Sequence, residues 1–301
     1  MVGARSASRW DRVRLALPMR PLVLLSNDDG YSSRGLRELR DALVCWADVV
    51  VCAPETEQSA MSHSLSLHRP LRAREVGKNI FAIDGTPADC VYVALYANHR
   101  FLPRWPNIVC SGVNHGLNLG QDAFYSGTVA AAREGALRGI PSIASSAHPK
   151  ADFAKVADLT SRLARALWEQ SRAGTIPHSA MPFARRAPLL NLNVPADWTG
   201  EIRCTRLGAR LYEEIIDVRV DPRGREYMWL GGPGVRHEAD PGSDTDAYDA
   251  GAASMTPLLL DLTHHDGVGL TDAMIQSVSN RKRSTCCAEF AAGSRPGAPS
   301  S

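Results

Sequence analysis

Ser26-Asn27-Asp28-Asp29-Gly30 sets two adjacent carboxylates and a glycine directly after the apolar run Leu22-Val23-Leu24-Leu25. Neighbouring acids repel each other and cost stability unless a cation or hydrogen-bond donors compensate. A hard divalent ion such as Mg²⁺ or Mn²⁺ is the natural partner for such oxygen ligands. Gly30 lets the chain turn sharply while keeping its backbone close to a ligand. The competing account is a plain loop, with one aspartate capping the next helix and the other solvated.

Three further groups follow apolar runs. Residues 53–66 carry Ser59, Ser62, His63, Ser64 and Ser66. Taken alone they form a polar loop in which His63 makes a structural hydrogen bond. Ser111-Gly112-Val113-Asn114-His115-Gly116-Leu117-Asn118-Leu119-Gly120 interleaves glycines and asparagines, which suits close approach of backbone to a ligand. Its glycines do not fall at the spacing of a dinucleotide fingerprint. Tyr125-Ser126-Gly127-Thr128 directly precedes an alanine-rich helix, whose first amides and positive dipole end would face an anion. A simple serine cap accounts for Ser126 but not for the whole run.

The elements that must position these groups alternate. Strands are expected at Leu22–Leu25, Val49–Cys52, Phe81–Ile83, Ile108–Cys110, Ile140–Ala144 and Leu189–Val194. Helices are marked by Leu36, Leu39 and Leu43; by Thr86-Pro87-Ala88-Asp89, a hydroxyl cap with proline and acid behind it; by Val129, Ala132 and Ala136; and by Phe153, Val156, Leu159, Leu163 and Leu167. Such alternation predicts an α/β, Rossmann-like, doubly wound and mostly parallel sheet. Ligands of open parallel sheets bind beyond the carboxyl ends of the strands, where all four groups lie.

The expected organisation is a basic, disordered extension over 1–20, a catalytic core over 21–204, and a protruding hairpin or oligomerisation region over 205–254. Val218–Val220 and Tyr227–Leu230 flank its turn. A C-terminal strand and segment returning to the core spans 255–278, and a disordered tail spans 279–301. A net charge of +2 excludes the basic footprint of a nucleic-acid or anionic-membrane binder. Substrate charge must therefore be met locally. No apolar stretch approaches the roughly 20 residues of a membrane span. The seven cysteines are odd in number and without a CxxC pair, and those inside apolar runs, such as Cys52 and Cys110, read as small buried hydrophobes, which suits a reducing cytoplasm.

Residues 26–30, 53–60, 85–91, 111–120 and 125–129, with Asn191-Leu192-Asn193-Val194-Pro195 and Ser254-Met255-Thr256-Pro257-Leu258, resemble the SurE (survival protein E) family of 5'-nucleotidases. The resemblance runs in consistent order from about residue 21 to 265. It implies one divalent metal ion held by Asp28, Asp29, Ser59 and Asn114, with Asp28 and Asp29 catalytic. It further implies a phosphate cradle of Gly30, Asn118, Ser126, Gly127 and Thr128. The implied substrates are nucleoside 5'-monophosphates, and in some members 3'-monophosphates or short polyphosphate. A homodimer or homotetramer is implied as well. Leu117 stands where the family usually has proline, a change that removes no ligand.

Other classes fit less well. A non-catalytic metal and nucleotide sensor, or a receiver-type module, also uses acids after the first strand. A receiver needs a further aspartate after a middle strand, where this chain has Ser111 and Asn114. A haloacid-dehalogenase-type phosphatase needs Asp-x-Asp, and Asp28-Asp29 has the wrong spacing. The missing fingerprint disfavours a nicotinamide-dependent oxidoreductase.

Overall fold

A computed structural model of the chain describes residues 20–174, 187–212, 216–230 and 234–280. Its centre is a nine-stranded sheet of order β3-β4-β2-β1-β5-β6-β7-β13-β8. In chain order these strands are β1 (Leu22–Ser26), β2 (Asp48–Pro54), β3 (Ala73–Gly77), β4 (Ile80–Ile83), β5 (Ile108–His115), β6 (Ser142–Ala147), β7 (Leu189–Val194), β8 (Ile202–Cys204) and β13 (Ala253–Leu258). The run from β4 through β7 is parallel, and β3 and β13 join it antiparallel. The expected doubly wound α/β sheet is therefore present, with more strands than the sequence announced.

Side-chain alternation in β1 explains why both faces are covered. Val23 and Leu25 pack with Leu36, Leu39 and Leu43 of α1 (Arg34–Leu43) and with Phe153, Val156 and Leu159 of α5 (Phe153–Arg172). Leu22 and Leu24 point the other way, onto Cys90, Val91 and Ala94 of α2 (Pro87–Tyr96). On that second face, α4 (Gly127–Leu137) packs Val129, Ala132 and Ala136 against Ala144 and Leu189. A strand buried on both faces must be apolar throughout, and β1 is.

The helix starts are written in the sequence. Thr86 caps α2 in a reciprocal box with Asp89, behind Pro87 at the first turn. Ser33, rather than either aspartate, caps α1 by accepting from the Leu36 amide. A four-residue helix, α3 (Asp122–Tyr125), leads straight into Ser126, the cap of α4.

The chain leaves β1 in one direction through β2 and β4, then passes back to β5 and continues the opposite way through β6 and β7. Strand order thus reverses between β1 and β5. That reversal opens a crevice at their carboxyl ends, the usual ligand position in open α/β sheets.

Beyond the core strands, β10 (Ile216–Val220) and β11 (Glu226–Leu230) form an antiparallel hairpin, and β9 (Arg210–Tyr212) pairs with β12 (Val235–His237). A short acidic helix, α6 (Asp244–Asp249), precedes β13. Residues 255–278, expected as one returning segment, divide instead. The strand ends at Leu258, and from Asp261 the chain forms a separate compact unit with α7 over Val268–Asn280. The expected N-terminal extension up to Met19 and the tail from Arg281 lie outside the described residues.

Candidate functional site at the switch point

The loop after β1 is tied from within. The Asn27 side-chain amide donates to Gly30 O at 3.0 Å and to Ser33 Oγ at 2.8 Å. Gly30 sits at φ +91°, a conformation that side chains oppose, and the Tyr31 amide then donates to Pro54 O at 2.9 Å. These bonds throw Asp28 and Asp29 to opposite sides.

Asp28 turns toward α4 and is 4% exposed. The Thr128 amide donates to its Oδ2 at 3.0 Å, and the Thr128 hydroxyl donates to Oδ1. Contact this close needs a glycine beside it. A Cβ at Gly127 would stand 2.8 Å from Asp28 Cβ and 3.0 Å from Pro87 Cγ. Burial pushes the Asp28 carboxyl up to about 6, against the Thr128 hydrogen bonds and with help from the charge of Asp29.

Asp29 faces a cleft of about 480 Å³ lined by Ser33, Glu57, Ser59, His115 and Phe153. The His115 amide donates to Asp29 Oδ2 at 3.0 Å. Burial again raises this acid's pKa, and His115 opposes the shift. Among the described residues no lysine or arginine pairs with either aspartate. Two neighbouring carboxylates held partly out of water without a basic partner call for a cation.

Ser59 lines the same cleft as Asp29, and Asn114 immediately precedes His115, whose amide holds Asp29. The Gln58 amide donates to Asp28 O at 2.7 Å, which ties the Ser59 loop to β1. Ser59 itself is exposed and donates to Glu57 Oε1 at 2.8 Å. A bulge in β5 between Ser111 and Asn114 re-aims the strand end, and the Asn114 side-chain amide donates through Nδ2 to Gly116 O at 2.9 Å. The carboxylates of Asp28 and Asp29, the Ser59 hydroxyl and the Asn114 amide oxygen are all oxygen donors, the type a hard divalent ion takes. Among the described residues no cluster of three or more His, Cys, Asp or Glu side chains forms a metal cage.

At α4 the predicted cradle is partly spent. Ser126 Oγ accepts from the Val129 amide at 3.0 Å, and the Thr128 amide is taken by Asp28. The carboxylate of Asp28 thus occupies the anion position at this helix start. Asn118 lies deeper. Its side-chain amide donates to Ser146 Oγ at 2.7 Å, while its backbone oxygen accepts from Asn191 and Asn193. These contacts make it part of the scaffold under the rim. His63 makes the structural hydrogen bond expected of it, at 2.8 Å to Glu134 Oε2.

Several supports escaped the sequence. His115 and Gln58 act through backbone amides, which no residue type reveals. Asp244 is buried and accepts from the amides of Gly120 and Gly208 at 2.9 and 2.7 Å, so it ties the glycine-rich loop to the chain before α6. Its signal was Ser243-Asp244-Thr245-Asp246, a capping sequence at a helix start.

Fold and site together define a doubly wound α/β protein whose switch-point crevice sets paired acids against a helix start. A family model for survival protein SurE matches residues 23–214, and the chain belongs to that family. The chain is 60% identical over 252 residues to a 5'-nucleotidase SurE from Sorangium cellulosum (strain So ce56), covering 83% of this chain and 95% of that one. It is 46% identical over 247 residues to a 5'-nucleotidase SurE from Myxococcus xanthus (strain DK1622), covering 81% and 89%. The crystal structure of SurE protein from Aquifex aeolicus superposes with a TM-score of 0.69 at 34% identity, covering 85% of this chain and all of that one.

Proposed function

We propose that this chain is a 5'-nucleotidase that releases phosphate from nucleoside monophosphates by attack of water on phosphorus. What supports the reading most is the contact between Asp28 and Thr128, a hundred positions apart, which joins the paired acids to the helix start. The relatives' names point to the same substrate class.

Asp28, Asp29, Ser59 and Asn114 would hold one divalent ion, Mg²⁺ or Mn²⁺. When bound, that ion supplies charge stabilisation to a phosphoryl oxygen and acidifies a water. Gly127 and Thr128, at the start of α4, bind and orient the phosphate and stabilise its equatorial oxygens as charge moves. That role requires the Thr128 amide to exchange Asp28 for the phosphate. Asp28 accepts the proton of the attacking water on a carboxylate oxygen. Gly30 keeps the backbone close to the bound group. Asn118 holds the opposite wall through its bonds to β6 and β7.

Phosphate release from nucleoside 5'- and 3'-monophosphates and from short polyphosphate, with each metal and after chelation, tests this. Release from the 5'-series that chelation stops and added metal restores is the expected result. Nucleotide binding without release would instead support a non-catalytic sensor.

The reaction unit is a homodimer or homotetramer in this reading. Ile216 opposite Leu230 and Val218 opposite Met228 share one exposed face of the β10–β11 hairpin. Four large apolar side chains on one outward face suit contact with a second copy. The setting is the cytoplasm. Cys52, Cys90 and Cys110 are free and buried, and no described helix is long and apolar enough to cross a membrane.

A further inference from the structure

We propose that Phe124 and Tyr125 form the platform on which the nucleobase of the substrate stacks, an assignment that rests on the nucleotidase reading above. Both rings stand in solvent, Phe124 54% and Tyr125 63% exposed. They occupy the last two positions of α3, immediately before Ser126, Gly127 and Thr128. Two or three residues of chain, roughly 7–10 Å at full extension, separate them from the phosphate cradle. That is the order of distance one ribose has to bridge.

The backbone under the rings is held from three directions. Ser62 donates its amide to Tyr125 O at 2.9 Å and its hydroxyl to Phe124 O at 2.8 Å. Asp122 pairs with the Arg210 guanidinium and accepts from Tyr212 Oη at 2.5 Å. Gln121 accepts from the Arg210 amide at 2.9 Å. Exposed rings on a fixed backbone lose little further freedom when a flat partner settles on them. Met61, next to Ser62, is itself 42% exposed.

Chemistry selects the occupant. The acids, amides and hydroxyls of the crevice serve phosphate and metal, and its one hydrocarbon ring, Phe153, is buried at 4% exposure with the His115 ring stacked on it. Every base has a π-face, and stacking on an aromatic side chain is tolerant of base identity. A platform of this kind gives a nucleotidase that prefers nucleotides over simple phosphate esters without reading one base strictly.

The test compares AMP with ribose 5-phosphate, which keeps the sugar and phosphate and lacks the base. In the wild type AMP should have the lower KM. In Phe124→Ala and Tyr125→Ala the ratio of kcat/KM for AMP over ribose 5-phosphate should fall about tenfold, the scale of one lost stacking contact. Tyr125→Phe should restore the ratio, whereas Tyr125→Leu, which keeps apolar area without a π-face, should not. An unchanged ratio overturns the platform and leaves the nucleotidase reading standing, as does an equal loss on both substrates. Dissociation of the assembly by either alanine variant, seen by light scattering with the ratio intact, would assign the rings to a second copy and also overturn it. A wild type that hydrolyses no nucleotide would remove both assignments at once.

Discussion

The two ends of the central sheet carry clefts of nearly equal size and opposite electrostatic condition. At the amino end of β1 and β2, a cleft of about 450 Å³ is lined by Arg20, Arg40, Asp48 and Lys78. There Asp48 is half exposed and paired with Arg20 at 3.5 Å and Arg104 at 3.2 Å. At the carboxyl end, the cleft of about 480 Å³ holds Asp29, and Asp28 lies buried behind it. Arg34 lines that cleft but is turned to Glu38 at 3.5 Å. Volume does not separate the two ends. Charge compensation does: one acid is paired with its own chain's arginines, and the two others have hydrogen-bond donors but no cationic partner among the described residues.

The largest expected effect breaks this contrast at Asp28. In Asp28→Asn, steady-state phosphate release should fall by more than about 10²-fold, the scale on which a preorganised charge partner matters. Circular dichroism should stay unchanged, because no core packing is removed. Turnover near the wild-type level would end the assignment of Asp28.

The same variant sharpens the comparison through pH. Asp28 titrates at about 6 in the folded protein, above the unfolded carboxylate value of about 3.9. The stability that protonated Asp28 contributes is therefore complete below about pH 4, and is lost as pH rises through about 6. In metal-free protein, the unfolding free energy of Asp28→Asn relative to wild type should rise between pH 4 and 7, by roughly 3 kcal/mol. Urea midpoints in chelator measure that difference. A gap independent of pH would mean that the buried acid is not uncompensated.

A smaller effect is expected at Gly127→Ala. The added methyl meets Asp28 Cβ at 2.8 Å, Asp28 Oδ2 at 3.0 Å and Pro87 Cγ at 3.0 Å, so acid and helix must separate. Overpacking of this kind costs roughly 1–3 kcal/mol. A lowered thermal midpoint with kcat reduced about tenfold would show that the spacing matters. Full activity in a stable variant would show that the junction tolerates expansion.

How far this site was legible follows from what each residue does. β1, β2, β5 and β7 could be read because strands buried on both faces must be apolar. α2 could be read because Thr86, Pro87 and Asp89 each perform a separate capping task. β3 could not, since Ala73–Gly77 is an edge strand with no buried residue. β8, β9 and β12 are three residues each, too short for any periodicity to show. Asp28, Asp29 and the 126–128 run stood out because their chemistry belongs to side chains or to a helix start. Ser59 did not, and only resemblance to a family raised it above the other serines of its loop. His115, which holds the Asp29 carboxylate, and Gln58, which holds the Asp28 carbonyl, contribute backbone amides, and a backbone amide leaves no mark in sequence.

The smallest expected effect lies at the opposite cleft and serves as the control for all the others. Arg104 donates to Asp48 Oδ2 at 3.2 Å and to Arg20 O at 2.7 Å, and all three side chains are substantially exposed. An exposed pair contributes at most about 1 kcal/mol, and salt screens it further. Arg104→Ala should lower the thermal midpoint by a few degrees at low salt and by less at high salt, with kcat and KM for AMP unchanged. A kinetic change there would mean that the amino-end cleft communicates with the switch point. Compensation by the chain's own arginines would then no longer mark that end as structural.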